Sequence, residues 1–223
     1  MIKKHIPNTI TLLNLSSGAI AVLAAYEGNY RLALVCIILS AILDFFDGLS
    51  ARLLKAYSPI GKELDSLADV ISFGLAPSMI AYSLMADAFG IYAFASLLIA
   101  AFSALRLAIF NIDERQTSSF IGMPTPANAL LWIGMAYGYG EFFIYNPYIT
   151  LVLVCLTSYL LVSPLPMFSL KIKNFSFGDN LFQFLLVIFS LILIIIFRLN
   201  CIAWIVGLYI LLSVVKVIID VKK

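Results

Sequence analysis

Four aspartates stand where an apolar chain can least tolerate them, at Asp44, Asp47, Asp65 and Asp69. The first two are three residues apart and the last two four apart, spacings that place each pair on one face of a helix. An aspartate at the centre of a membrane helix costs about 2.5 to 3.5 kcal/mol, so the burial of four must be compensated. Counted from Tyr57, Asp47 lies 10 residues before and Asp65 8 after, while Asp44 lies 13 before and Asp69 12 after. In an antiparallel hairpin these positions fall at matched depths, roughly 10 to 20 Å along the helices from the turn. Four like charges so close repel unless a cation neutralises them. Hard carboxylate oxygens with no His or Cys nearby suit Mg²⁺ or Mn²⁺ rather than zinc or copper, and two ions could share the four side chains. Gly48 and Ala51 lie on the Asp44 face, and Gly61, Ser72 and Ala76 on the Asp65/Asp69 face, which leaves room for a substrate. A buried ion network with Arg52, Lys62 or Arg106 is the competing reading. It fits less well, because the acids cluster while the basic residues lie nearer the helix ends.

The elements that carry these residues are membrane helices. Hydrophobic residues make up 63% of the 223 and charged residues 12%, with a mean hydropathy of +1.05, far beyond what a soluble core requires. Apolar stretches of about 18 to 25 residues recur along the chain, long enough to cross a hydrocarbon layer. Breaks at 27–29, 55–59, 87–90, 111–125, 141–147, 171–179 and 198–200 predict an all-α, polytopic bundle of about eight transmembrane helices, near 9–26, 30–54, 60–86, 91–110, 126–140, 146–168, 181–198 and 200–219. Residues 1–223 read as a single membrane domain, with 1–8 as a basic interfacial segment and no cleavable signal. Alternating the loops gathers Lys3, Lys4, Arg52, Lys55, Lys62, Arg106, Arg115, Lys171, Lys173, Lys216, Lys222 and Lys223 on one side and leaves Arg31 and Arg198 on the other. That bias predicts a multi-pass protein of the cell membrane with both termini, and the half of the membrane holding the aspartates, on the cytoplasmic side. Cys36, Cys155 and Cys201 lie in apolar runs without ligand spacing and predict no disulfide. The sole partner that composition dictates is the lipid bilayer, and no nucleic acid is expected.

Written out, the segment reads Asp44-x2-Asp47-Gly48-x2-Ala51-Arg52-x8-Gly61-x3-Asp65-x3-Asp69. This resembles the signature of the CDP-alcohol phosphotransferase family at every fixed position. The stretch from Leu64 to Pro77, the Arg106-Leu107-Ala108-Ile109-Phe110-Asn111 segment, and Gly122-Met123-Pro124-Thr125-Pro126-Ala127 are similar to that family's phosphatidylserine synthase branch. The branch usually carries a second arginine where Ile109 stands. The likeness runs over residues 8–127 and beyond that rests on hydropathy.

The resemblance implies a metal-dependent CDP-diacylglycerol–serine O-phosphatidyltransferase. A CDP-diacylglycerol or CDP-archaeol type lipid would donate its phosphatidyl group to the hydroxyl of L-serine, releasing CMP. It implies Asp44, Asp47 and Asp65 as metal ligands and Asp69 as a ligand that also serves as general base. Gly48, Ala51, Arg52 and Gly61 would line the cytidine and diphosphate pocket, reached from the first helix by Asn8 and Thr11. Asn8 reads equally as a helix N-cap. Arg106 is the best-placed donor for the serine carboxylate, with Lys62 and Asn111 as helpers, although an arginine there could also be an interfacial anchor. A homodimer is what the family implies. An acceptor such as inositol phosphate or glycerol phosphate would call for more cationic residues, and Ile109 points away from it. A cation transporter would favour carboxylates at the bilayer midplane on broken, repeated helices, a pattern the sequence lacks.

Overall fold

A computed structural model of the protein describes residues 5–113, 120–169 and 180–221. Lys3, Lys4, Arg115, Lys171, Lys173, Lys222 and Lys223, on which part of the charge bias rests, lie outside the described residues. The described chain is all-helical apart from one two-residue strand pair. Among the described residues, four stretches are long and apolar enough to cross a membrane: His5–Tyr26, Tyr30–Leu53, Pro59–Ile112 and Leu181–Asp220.

The first helix, α1 (His5–Tyr26), and α2 (Tyr30–Leu53) form an antiparallel hairpin. Gly28 closes α1 at φ +70°, a conformation open to glycine, and the Asn29 side chain caps α2 by accepting from Leu32 N at 3.1 Å. Alanines at 21, 24, 25 and 33 are buried between the two helices and let the backbones approach. The next turn bends through Lys55 at φ +50°. Ser58 then caps α3 (Pro59–Asp69), accepting from Gly61 N at 3.0 Å, with Pro59 preset for the first turn.

Immediately after Asp69 the helix widens into a π turn over Val70–Leu75 before α4 (Ala76–Phe89) resumes. Pro77 explains it: proline has no N–H, and its ring would collide with the carbonyl one α-turn back, so the backbone relaxes to longer-range bonds such as Ala76 N to Ile71 O. Gly90, at φ +51°, then reverses the chain through a 3₁₀ segment, Gly90–Ser96, into α5 (Leu97–Ile112). The return limb packs antiparallel on the first. Ser78 donates to Ser96 O at 2.9 Å, Gly74 faces Ser103, and Asn111 donates to Ser66 at 2.7 Å.

Further on come α6 (Thr125–Tyr145), kinked at Tyr139, and α7 (Pro147–Val162). The helix expected over 146–168 stops at Val162. Pro164 and Pro166 cannot continue it, and Pro166–Met167 instead pairs antiparallel with Phe120–Ile121. Two other boundaries depart from expectation. The first helix begins at His5, so the interfacial segment expected over 1–8 is helical from that residue, and α6 runs on to Tyr145.

Finally, α8 (Leu181–Phe197) and α9 (Ile202–Val221) pack on each other across a break at Arg198, φ +54°. In α9, Ala203 packs on Gly134, where a Cβ would stand 3.1 Å from Ala203 Cα, and Gly138 meets Asn200 just before that helix. The Gly134-x3-Gly138 pair is therefore a close contact within one chain. The buried core runs from Ala21 and Ile37 through Phe73, Ile80 and Met85 to Trp132 and Val154, and large apolar side chains such as Val187, Ile188 and Leu191 face outward, as lipid demands.

Candidate active site

In place of the directly packed hairpin that the sequence predicts, α2 and α3 each pack against α1 and touch one another little, and this arrangement sets Asp44, Asp47 and Asp65 so that each offers a carboxylate oxygen within 4.8 Å of the others. Asp47 Oδ2 and Asp65 Oδ1 are buried and accept no hydrogen bond. Buried carboxylate oxygens left without donors are costly unless a cation takes that place. The donor set, all hard oxygen, fits a divalent ion such as those the sequence suggests. Asp69, one turn above Asp65, is buried at 8% exposure and lies outside this group of three. Its Oδ1 accepts from Asn14 Nδ2 at 3.5 Å.

Asn14, which the sequence did not single out, adjoins Asp69 in this site. It is fully buried, and it accepts from Ser72 twice, at its side-chain oxygen (2.8 Å) and its backbone carbonyl (3.1 Å). That carbonyl also takes a bond from Ser40 at 3.2 Å. One amide thereby ties α1, α2 and the π turn together and orients Asp69. Its signal in the sequence was the recurrence of polar residues at 8, 11 and 14 along an apolar helix. Gly18 makes this possible, since a Cβ there would lie 2.7 Å from Ser72 Cα.

Beside the carboxylates a cavity of 310 Å³ is lined by Pro7, Asn8, Thr11, Asp47, Gly48, Ala51, Ala56, Tyr57, Ser58, Gly61, Lys62 and Asp65. The structure thus gathers Asn8, Thr11, Gly48, Ala51 and Gly61 around one space adjoining the acids. Asn8 sits within α1, not at its cap, and its Oδ1 would be 3.1 Å from a Cβ on Gly61. Arg52, expected to line this pocket, is not among its lining residues; it folds back along α2 to donate from Nε to Gly48 O at 3.1 Å.

Arg106 belongs to a second cavity, of 220 Å³, with Ile109, Phe110, Asp113, Ile121, Leu161, Val162 and Pro164. It is 7% exposed, which is far more burial than an interfacial anchor has. Its guanidinium lies 5.7 Å from the Phe110 ring centroid, its Nε has no hydrogen bond, and it is within electrostatic reach of Asp69. Lys62 and Asn111 are placed elsewhere. Lys62 donates to Asn111 O at 2.9 Å while Asn111 donates to Ser66, and together they stitch α3 to α5. Lys62 lines the first cavity, not the one holding Arg106.

A family model described as CDP-alcohol phosphatidyltransferase matches residues 4–165. The chain belongs to this family. Within the CDP-alcohol phosphatidyltransferases, it is 38% identical over 160 residues to the CDP-diacylglycerol–serine O-phosphatidyltransferase of Bacillus subtilis strain 168, a match covering 71% of this chain and 87% of that one. The enzyme of the same description from Helicobacter pylori strain 26695 is 43% identical over 130 residues, covering 56% and 54%. The archaetidylserine synthase of Methanothermobacter thermautotrophicus is 35% identical over 127 residues, again covering 56% and 54%. The matched part is therefore little more than half of the last two relatives' length. The family match ends at 165, so α8 and α9 lie beyond it.

Proposed function

We propose that this protein is a membrane phosphatidyltransferase that moves a phosphatidyl or archaetidyl group from a CDP-activated lipid to the hydroxyl of serine. The observation that carries this reading is the pair of donor-free carboxylate oxygens on Asp47 and Asp65 next to a cavity lined by small residues. The names of the similar bacterial and archaeal enzymes support serine as acceptor. The cytidine and diphosphate occupy the cavity bounded by Asn8, Thr11, Gly48, Ala51 and Gly61, and Arg52, hydrogen-bonded to the Gly48 carbonyl, reaches toward it from α2. Mg²⁺ or Mn²⁺, as two ions, would be held by Asp44, Asp47, Asp65 and Asp69 and would offset charge on the phosphoryl oxygens and the departing CMP.

The serine hydroxyl attacks the lipid-bearing phosphorus, its proton passes to the Asp69 carboxylate, and the bond from that phosphorus to the CMP oxygen breaks. Asn14 holds Asp69 in place for this step. Arg106 binds the serine carboxylate, and Lys62 and Asn111 assist by fixing α3 against α5. The chain crosses the cell membrane eight times as one domain, with both termini cytoplasmic and the site in the cytoplasmic half, and it works as a homodimer.

The test is CMP release by the purified protein with a CDP-lipid and Mg²⁺ or Mn²⁺, comparing serine, inositol phosphate and glycerol phosphate. Release with serine is expected. Release with a phosphorylated acceptor alone would move the protein to another branch, and no release with any acceptor would remove the transferase reading.

A further inference from the structure

Among the described residues, six buried side chains outside the carboxylate cluster carry polar atoms that make no hydrogen bond: Ser96 Oγ at the end of the 3₁₀ segment, Ser103 Oγ and Arg106 Nε on α5, Thr125 Oγ1 and both amide atoms of Asn128 on α6, and Ser158 Oγ on α7. Buried polar groups are almost always partnered, and an amide with neither atom satisfied is the costliest of these to leave alone. Thr125 and Asn128 have no exposed surface at all.

Their placement is fixed by neighbours that do bond. Thr125, Asn128 and Trp132 form one stripe on α6, and Trp132 Nε1 donates to Thr157 on α7 at 3.2 Å, so the stripe faces α7. The two helices run antiparallel, which sets Asn128, one turn nearer the start of α6, at the level of Leu161. Leu161 lines the cavity that holds Arg106, as does Ile121, and Met123 N donates to Leu160 O at 2.9 Å. On the other limb, the pairings of Ser66 with Asn111 and Gly74 with Ser103 set Arg106 level with Asp69. The π turn after Asp69 packs against both α5 and α6.

We propose that Asn128, aided by Thr125, receives the ammonium group of an amino-acid acceptor whose carboxylate is bound by Arg106. This rests on the transferase reading above and deepens it by naming what selects the acceptor. An amide oxygen and a hydroxyl oxygen are neutral acceptors suited to an ammonium, while Arg106 and the start of α6, which no side chain caps, suit a carboxylate. A phosphorylated polyol has no ammonium and would leave the Asn128 oxygen unsatisfied. Selection by an unpaired buried group is strong, because the wrong substrate leaves it unpaired.

The experiment compares the full-length wild type with Asn128→Leu in lipid nanodiscs, measuring CMP release against serine and against 3-hydroxypropanoate, which is serine without its ammonium, together with thermal unfolding. In Asn128→Leu the serine KM rises at least about tenfold and the preference for serine over 3-hydroxypropanoate shrinks by a similar factor, while the CDP-lipid KM stays within about twofold. The Tm does not fall, because the substitution removes an unsatisfied amide. An unchanged serine KM or unchanged preference would overturn the proposal, as would a lower Tm with equal losses on both acceptors, which marks a structural role. Should Asn128→Leu not fold, Asn128→Asp serves: its carboxylate keeps serine and further disfavours 3-hydroxypropanoate, and an unaltered preference there also overturns the assignment. A wild type that releases no CMP with serine removes the function as well, whereas an active wild type with an indifferent Asn128→Leu removes this inference alone.

Discussion

The buried acids differ in their surroundings, and that difference assigns them different consequences when changed. Asp47 carries an oxygen with no hydrogen bond amid two other carboxylates, so Asp47→Asn is expected to raise the half-saturating Mg²⁺ or Mn²⁺ concentration about 100-fold, read by metal titration of CMP release. Asp69 is held by a neutral amide, and Asp69→Asn lowers kcat about 10²- to 10⁴-fold while the protein still folds, checked by single-turnover kinetics and circular dichroism. Arg106→Lys keeps the charge but loses the planar fork, and the serine KM rises about tenfold with the CDP-lipid KM unchanged. The aspartates were legible from spacing, since an acid in an apolar run has few innocent explanations. Asn14, Thr125 and Asn128 were not, because single amides and hydroxyls in or at the ends of helices are ordinary, and these are set apart by burial that only the packed structure displays.

Helix geometry does much of the positioning. The π turn at Val70–Leu75 offsets α4 from α3, and it brings Ser72 against Asn14 and Gly18. Gly18→Ala places a Cβ 2.7 Å from the Ser72 backbone, and the expected cost is about 1 to 3 kcal/mol by thermal unfolding, with a fall in kcat because the displaced turn begins at the residue after Asp69. Pro77 by itself disfavours an unbroken α-helix. Its resolution as a wider turn upstream depends on how α1 and α5 close around the segment, information that no local propensity carries. The end of α7 was likewise half legible: Pro164 and Pro166 stop the helix, but the pairing of Pro166–Met167 with Phe120–Ile121 depends on partners 45 and 47 residues away in the chain.

At the scale of the whole molecule, the family match covers α1 to α7 and leaves the α8–α9 hairpin to hold the outer side of α6 through Gly134 and Gly138. Hydropathy made the all-helical, membrane-spanning character legible, while the register of α5 against the limb before it came from the hydrogen bonds that join them. The proposed orientation derives from the charge bias, and it has a direct check. With the native cysteines replaced, a cysteine introduced at the exposed Tyr57 reacts with a membrane-impermeant maleimide only when the cytoplasmic face is open to the reagent. Reaction from the outer face of intact cells would invert the topology and with it the placement of the site.

The cavity beside the carboxylates is flanked by outward-facing apolar side chains, among them Leu53, Ile60 and Leu67. A diacyl or diether donor therefore reaches it by sliding within its own leaflet and never enters water. For that substrate the relevant concentration is a mole fraction in a two-dimensional sheet. At a fixed bulk amount of CDP-lipid, adding inert detergent to mixed micelles should slow the enzyme by surface dilution, whereas serine, arriving from the aqueous side, obeys ordinary three-dimensional saturation.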